Sequence, residues 1–422
     1  MTIEINPEFS AYIGIDWADT KHDICIQATN DKKRIFSVIE HKVEKIDEWI
    51  QILRKQYQGT IAVAVELSKG PIVYALQKYD CFVIFPINPA TLATYRLAFK
   101  SSRAKNDPGD AELALDMLIR YPERFRALKP QSVEMRTLTL LVEERRNLVN
   151  DKIRVTNRLR SELKHYYPQI LDWFDHIDTY LFCDFVKRWS TQVQAQRARE
   201  TTLINFFHSH HMQFQNVLER RLIAIKSSTP LTYDDAVIIP HRMKTLILVE
   251  QLRLLLNAIE QYDKEIEQLA IQHDDYALFN SLPGAGKVMI PRLMVAFGEQ
   301  RERFKNAAEL QKYSGVAPVT EQSGKKHWIH WRWQCPTFLR QTFVEWAGLT
   351  LAKSLWASAY YYQQRAKGSP HQAALRALAF KWIRIVYRCW KTKTPYDELH
   401  YLKALKERGS KLFQQTLLTE NI

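Results

Sequence analysis

Four carboxylates in the first quarter of the chain have the residue types and the placing for metal-assisted chemistry. They are Asp16 in YIGIDWADTKHDICI, Glu66 closing IAVAVEL, and the pair Asp107 and Asp110 in KNDPGDAELALD. Each falls where a strand should end or a helix should begin, so folding can collect all four. Clustered carboxylates repel one another and are costly to desolvate, so such a cluster persists when cations neutralise it. A ligand set made only of oxygen selects hard ions such as Mg²⁺ or Mn²⁺. Two such ions clamp the oxygens of a phosphoryl displacement. That chemistry is the cutting or joining of nucleic acid.

Each acid also has a local explanation. Asp107-Pro108-Gly109-Asp110 is a good helix start, with Asp at the N-cap, Pro at the first helical position and a carboxylate near the positive end of the dipole. Glu66 reads equally as a surface residue after an apolar strand. Asp16 resists that reading, because it follows a strand expected to be buried on both faces, where an acid needs a partner or an ion. Asp19 and Asp23 fall in the following turn and strand and are expected in solvent.

The elements that must position these acids follow from periodicity. Residues 11–17, 22–28 and 33–39 read as strands at hairpin spacing. Residues 43–56 have helical periodicity, with Val43, Ile46, Trp49, Ile50 and Leu53 on one face. IAVAVEL and FVIFPI read as buried strands of parallel type. This order predicts an α/β domain over residues 1–128, a mixed sheet with helices on its faces as in ribonuclease-H-like nucleases.

Residues 129–275 are expected to form a long antiparallel helical hairpin. Leu141, Leu148, Val155, Leu159 and Leu163 stand at near-heptad spacing, and Glu143, Glu144, Arg145 and Arg146 fit solvated flanks of a coiled coil. The returning helix over 241–272 carries Leu246, Leu248, Leu252, Leu254, Leu255, Ile259 and Ile266. Residues 167–240 are inserted at its tip. His208, His210 and His211 in that insertion lack ligand spacing and an acidic neighbour, and so read as a surface turn rather than a metal site.

Residues 276–370 are expected to form a mainly helical third domain. Its LPGAGK turn is similar to a helix-hairpin-helix, in which Gly284, Gly286 and Lys287 would let backbone N–H groups approach a phosphate. Residues 371–422 read as a basic helical tail. Lys381, Arg384, Arg388 and Lys391 form one stripe suited to phosphate contact, and Trp382, Ile385 and Cys389 beside it suit a core.

The net charge of +14 is segregated: counted along the sequence, the whole excess lies in residues 281–422. A basic region interleaved with Trp and Tyr is the usual footprint for phosphate backbones and base stacking. The five cysteines are scattered without a C-x-x-C pair, which gives neither a zinc site nor a disulfide framework and fits a reducing cytoplasm. No signal peptide is legible, and no apolar run reaches the roughly 18 residues of a membrane span. A soluble cytoplasmic protein with no membrane partner is expected.

YIGIDWADTKHD, VELSKGP and SSRAKNDPGDAELALD together resemble the RuvC-like N-terminal domain of the DEDD-motif insertion-sequence transposases, a group that includes Piv-type DNA invertases. LFNSLPGAGKVMIPRLMVAFGEQRERFKNAAELQKYSGVAPVTEQSG resembles the C-terminal transposase domain of the same family. The resemblance implies that Asp16, Glu66, Asp107 and Asp110 bind Mg²⁺ or Mn²⁺, and that Ser323 is the nucleophile. Ser323 would attack a DNA phosphodiester to give a covalent phosphoserine, which a 3′-hydroxyl then reverses.

By the residues alone Ser323 reads as a turn serine, and Ser314 as a packing position. Lys325 and Lys326 would lie beside the scissile phosphate. In HWRWQCPTFLRQ the Leu339-Arg340 pair of the family is kept, whereas the glycine step that often precedes it is not. The family also implies donor and target DNA as substrates, a structured bridge RNA as guide, a homodimer or homotetramer, and a bacterial or archaeal nucleoid setting. Two other readings compete: a RuvC-like metal-dependent nuclease using water, and a non-catalytic nucleic-acid-binding protein.

Overall fold

The computed structural model describes residues 9–99, 107–212, 214–324 and 326–419, and divides the chain into two compact units, 1–130 and 131–422. The first unit is built on β1 (Ala11–Trp17), β2 (Lys21–Ala28), β3 (Arg34–Glu40), β4 (Ile61–Val65) and β5 (Phe82–Pro86). They form one mixed sheet in the order β3-β2-β1-β4-β5. β2 pairs antiparallel with both β1 and β3, and β4 pairs parallel with both β1 and β5. The crossovers are α1 (Val43–Gln56) and α2 (Pro71–Leu76); α3 (Pro89–Phe99) and α4 (Asp107–Arg120) follow β5.

Strand alternation gives the sheet two different faces. On one, Ile13, Ile15, Ile24, Ile26, Val63 and Val65 pack against Ile46, Trp49, Ile50 and Leu53 of α1. The fifth residue expected on that helix face, Val43, is exposed instead, because it opens the first turn beyond the edge of the packed stripe. On the other face the strands carry Gly14, Ala62, Ala64 and Cys25, all small, and α4 lies close upon them.

Gly14 sets that distance. A Cβ built there would stand 2.0 Å from the carbonyl oxygen of Ala111 and 2.8 Å from the amide of Leu115, both on α4. Arg34 fixes the direction of the helix. It faces Gln27, which is level with Tyr12, and it holds Glu112 at 2.8 Å and Asp116 at 2.5 Å. α4 therefore runs against β1, with its first turn toward Asp16. Overpacking such a contact costs about 1–3 kcal/mol. Gly14→Ala should lower the unfolding free energy in urea by at least that much, and an unchanged midpoint would contradict this packing.

The second unit starts with α5 (Val133–Tyr166), capped by the Ser132 side chain. After the insertion helices α6 (Ile170–Trp173), α7 (Tyr180–Arg188), α8 (Gln192–Arg197), α9 (Glu200–Ser209) and α10 (Gln215–Ser227), the chain returns along α11 (Asp235–Gln272). Arg145 pairs with Asp263 near one end of α5, and Glu162 pairs with Lys244 at 2.5 Å near the other, so α5 and α11 are antiparallel. α11 begins at Asp235 rather than 241, capped by the Asp234 side chain accepting from the Ala236 amide, with Pro240 inside the helix. Leu254 faces solvent, and Leu141 and Leu148 are only half-buried; Met135, Leu138 and Val142 take the buried positions early in α5. Arg145 and Arg146, expected as solvated flanks, are instead drawn into ion pairs with Asp263 and Glu345. The insertion has its own aromatic core around Trp173, Phe174, Phe185 and Phe207.

The remainder comprises α12 (Tyr276–Asn280), α13 (Met289–Phe297), α14 (Ala307–Tyr313), β6 (Val319–Ser323), β7 (Lys326–His330), α15 (Thr337–Leu349), α16 (Leu355–Ala366), α17 (His371–Thr392), α18 (Glu398–Glu407) and α19 (Lys411–Thr419). Trp346, Trp356, Trp382 and Trp390 are fully buried in one core shared by α5, α13 and α15–α19. Residues 371–422 thus contribute Trp382, Val386 and Trp390 to this core.

Candidate active site

Asp16 is the sixth residue of β1, on the Gly14 side of the sheet. Ile15 is level with Val65 in the parallel pair, so Asp16 and Glu66 are the next residues along two adjacent strands. Ala111 lies over Gly14, which brings Asp110 and the start of α4 to the same end and face. Both carboxylate oxygens of Asp110 accept from Arg96 of α3, at 2.7 and 2.6 Å. Asp110 is 3% exposed, so this guanidinium supplies the charge that its burial requires. Asp107 begins α4, but its side chain lies outside the described residues.

One acid stands where solvent was expected and is not in it. Asp23 is 3% exposed and directly opposite Asp16 in the antiparallel register, so the two side chains share a face. Its partner is Lys21 at 3.4 Å. Like charges directly across an antiparallel pair destabilise it unless compensated. The sequence did carry a signal for Asp23: it is two residues before Cys25 on the face that β2 turns toward α4. Arg96 had none, since its role appears only when α3 and α4 pack. Among the described residues no three of His, Cys, Asp and Glu close on a common metal position.

Ser323 ends β6 and is level with Lys326 of β7. Both strands of this ribbon are exposed along almost their whole length. Register places Ser323, Lys326, Glu321, Trp328 and His330 on one face, and His330 Nε2 approaches Glu321 at 3.2 Å. Gly324 turns the chain after Ser323 at φ +57°. Lys325 lies outside the described residues. Ser314 is fully buried at the end of α14, where its hydroxyl donates to the Gln311 carbonyl. Trp333, just beyond the ribbon, is 79% exposed.

The other expected contact residues divide into two groups. Gly286 and Lys287 are exposed in the α12–α13 turn, Lys287 paired with Glu267 at 2.7 Å, and Arg384 and Arg388 are exposed on α17. Gly284 is a packing position at φ +71°, since a Cβ there would come within 2.7 Å of the Leu349 carbonyl. Arg340 lies over Trp331 and donates to the Arg332 carbonyl. Lys381 turns over Tyr360 and Trp356, where burial and then Arg384 lower its pKa. Lys391 donates to the Arg301 carbonyl. His210 does have an acidic neighbour, Asp184 at 3.6 Å, while His211 adopts positive φ in the turn after α9.

A mixed sheet with acids at one end and a helical unit carrying an exposed serine ribbon are compatible with a transposase. The comparisons agree: a family described as transposase, of DEDD type, matches residues 13–168, and the transposase IS116/IS110/IS902 family matches residues 276–363. The chain belongs to this family of insertion-sequence transposases, enzymes of DNA transposition. It is 29% identical over 397 residues to the mini-circle transposase assigned to IS117 in Streptomyces coelicolor, covering 92% of this chain and 96% of the relative. It is 23% identical to a 44.8 kDa protein of insertion element IS116 from Streptomyces clavuligerus, covering 90% and 95%. Among the described residues, no helix is long and apolar enough to cross a membrane.

The Arg96–Asp110 pair is testable apart from activity. Removing one member of a buried pair costs about 3–5 kcal/mol, because the other charge is left uncompensated. Arg96→Ala should therefore destabilise the protein by about 3 kcal/mol, and Arg96→Ala with Asp110→Ala by less than the sum of the single changes. Additive losses in a denaturation cycle would show that the pair is not coupled.

Proposed function

We propose that this protein is a DNA recombinase of an insertion sequence, cutting and rejoining strands through Ser323 with the acids of the first unit. The observation that carries the reading is the meeting of Asp16, Glu66 and the start of α4 at one end of the sheet. The strand order, three antiparallel strands followed by two parallel to β1, supports a ribonuclease-H-like fold for this unit. Oxygen donors of this kind suit Mg²⁺ or Mn²⁺. Asp16, Glu66, Asp107 and Asp110 would hold it, Asp110 through the lone pairs that Arg96 leaves open. When bound, the metal would polarise the phosphate and stabilise a leaving oxygen.

Ser323 Oγ forms a bond to phosphorus while the bond to the 3′-oxygen of the cut strand breaks. The serine proton leaves to a base and the released 3′-oxygen takes one up, giving a free 3′-hydroxyl and a 5′-phosphoserine link. Glu321 and His330, on the same ribbon face as Ser323, are of the right type to accept that proton, and Lys326 level with Ser323 suits the phosphate charge. A 3′-hydroxyl of the partner strand reverses the step and rejoins the DNA.

Family likeness and the basic last third support a structured bridge RNA as guide, with sequence choice made by base pairing and protein contacts to backbone and shape. A two-stranded ribbon without a packed face is marginal alone. That supports completion of the Ser323 site by DNA or by another subunit of a dimer or tetramer.

The test is a covalent adduct. Incubated with Mg²⁺, element-end DNA and the RNA, the wild-type chain should carry DNA through denaturing electrophoresis. Ser323→Ala and Asp16→Ala should each reduce that adduct to background. Cleavage without adduct, unaffected by Ser323→Ala, would favour a hydrolytic nuclease instead.

A further inference from the structure

Three arginines meet at a small cavity in the second unit that the chemistry above does not use. Arg145 and Arg146 are consecutive on α5, and Arg292 is the fourth residue of α13. With Val142, Ile266 and Val288 they line a cavity of about 20 Å³. That is room for one water-sized group. The wall reaches solvent at Val288, the residue after Lys287 in the α12–α13 turn.

Charge does not balance there. Asp263 takes Arg145 through two oxygens, one of them 3.0 Å from Nη2. Glu345 is shared, accepting from Arg292 Nη1 at 2.6 Å and from Arg146 Nη2 at 3.3 Å. Three guanidiniums thus face two carboxylates. Arg292 is 6% exposed, and its Nη2 is buried with no hydrogen-bond partner among the described residues; Nε of Arg146 is in the same state. Burial pulls the Arg292 pKa down, Glu345 opposes this, and the charges of Arg146 and Arg145 lower it further. Charged donors left without an acceptor cost several kcal/mol in total.

A water would meet one donor and leave the charge excess in place. A phosphodiester carries a single negative charge and presents non-bridging oxygens the size of a water. Guanidinium forks match that geometry, and the positive end of α13 adds to the attraction.

We propose that this cleft seats one backbone phosphate of a nucleic acid, a non-bridging oxygen entering between Arg146 and Arg292. The proposal rests on the nucleic-acid part of the function above and is independent of strand cleavage. It is therefore measured in the Ser323→Ala background, where loss of cutting cannot affect the result.

The probes are a fluorescein-labelled DNA duplex and a labelled single-stranded RNA of the same length, titrated by anisotropy over a range of salt. Arg146→Gln should weaken binding about tenfold and reduce the slope of log K against log salt by about one. Arg145→Gln should act in the same direction, and Arg146→Lys should recover part of the slope. Loss with both probes gives a site for either nucleic acid; loss with one identifies its occupant. Unchanged affinity and slope with both probes would overturn the proposal, as would a lowered melting temperature without any change in binding.

Discussion

The close approach of α4 to β1 at Gly14 is the constraint on which the candidate active site depends. Any side chain at position 14 would meet the backbone of α4. With none there, and with Ala62 and Ala64 on the neighbouring strand, the helix lies directly on the sheet. Its direction is set by Arg34 holding Glu112 and Asp116. Those two contacts bring Asp16, Glu66 and the turn of α4 that carries Asp110 to one end and one face of the sheet. The opposite face, filled with isoleucine and valine against α1, provides the rigid backing.

Charge is the second constraint. Asp16 and Asp23 face each other across two strands, Glu66 follows on the next, and Asp110 is buried on the overlying helix. Arg96 compensates Asp110, and Lys21 stands by Asp23. An acidic end built at this electrostatic cost suits a site that works with cations. The second unit shows the reverse pattern, an excess of arginine around a cleft in an otherwise apolar junction.

Much of this was legible in the sequence because periodicity reports burial. α1 spans the predicted residues 43–56, and the first three strands fall within a residue of their expected places. The two family motifs in order identified the transposase family, and Ser314 was read as a packing position. What the sequence hid depends on packing between distant elements. Asp23 looked like a solvated acid because its burial comes from α4, more than eighty residues later. Arg96 carried no signal, and Lys381 read as part of a phosphate-contacting stripe, yet one neutralises Asp110 and the other lies over two aromatic rings. Val43 and Leu254 fit helical stripes but fall outside the faces that pack, so hydrophobic spacing alone overstates the core.

The central claim is that the acids around Asp16 form one cation site. The most direct measurement is titration of Mn²⁺ followed by electron paramagnetic resonance, on the wild-type chain and on Asp16→Asn. Saturable binding in the wild type, weakened at least tenfold by the loss of this one charge, is the predicted result. Equal binding by the two proteins, or no saturable binding by either, would contradict it.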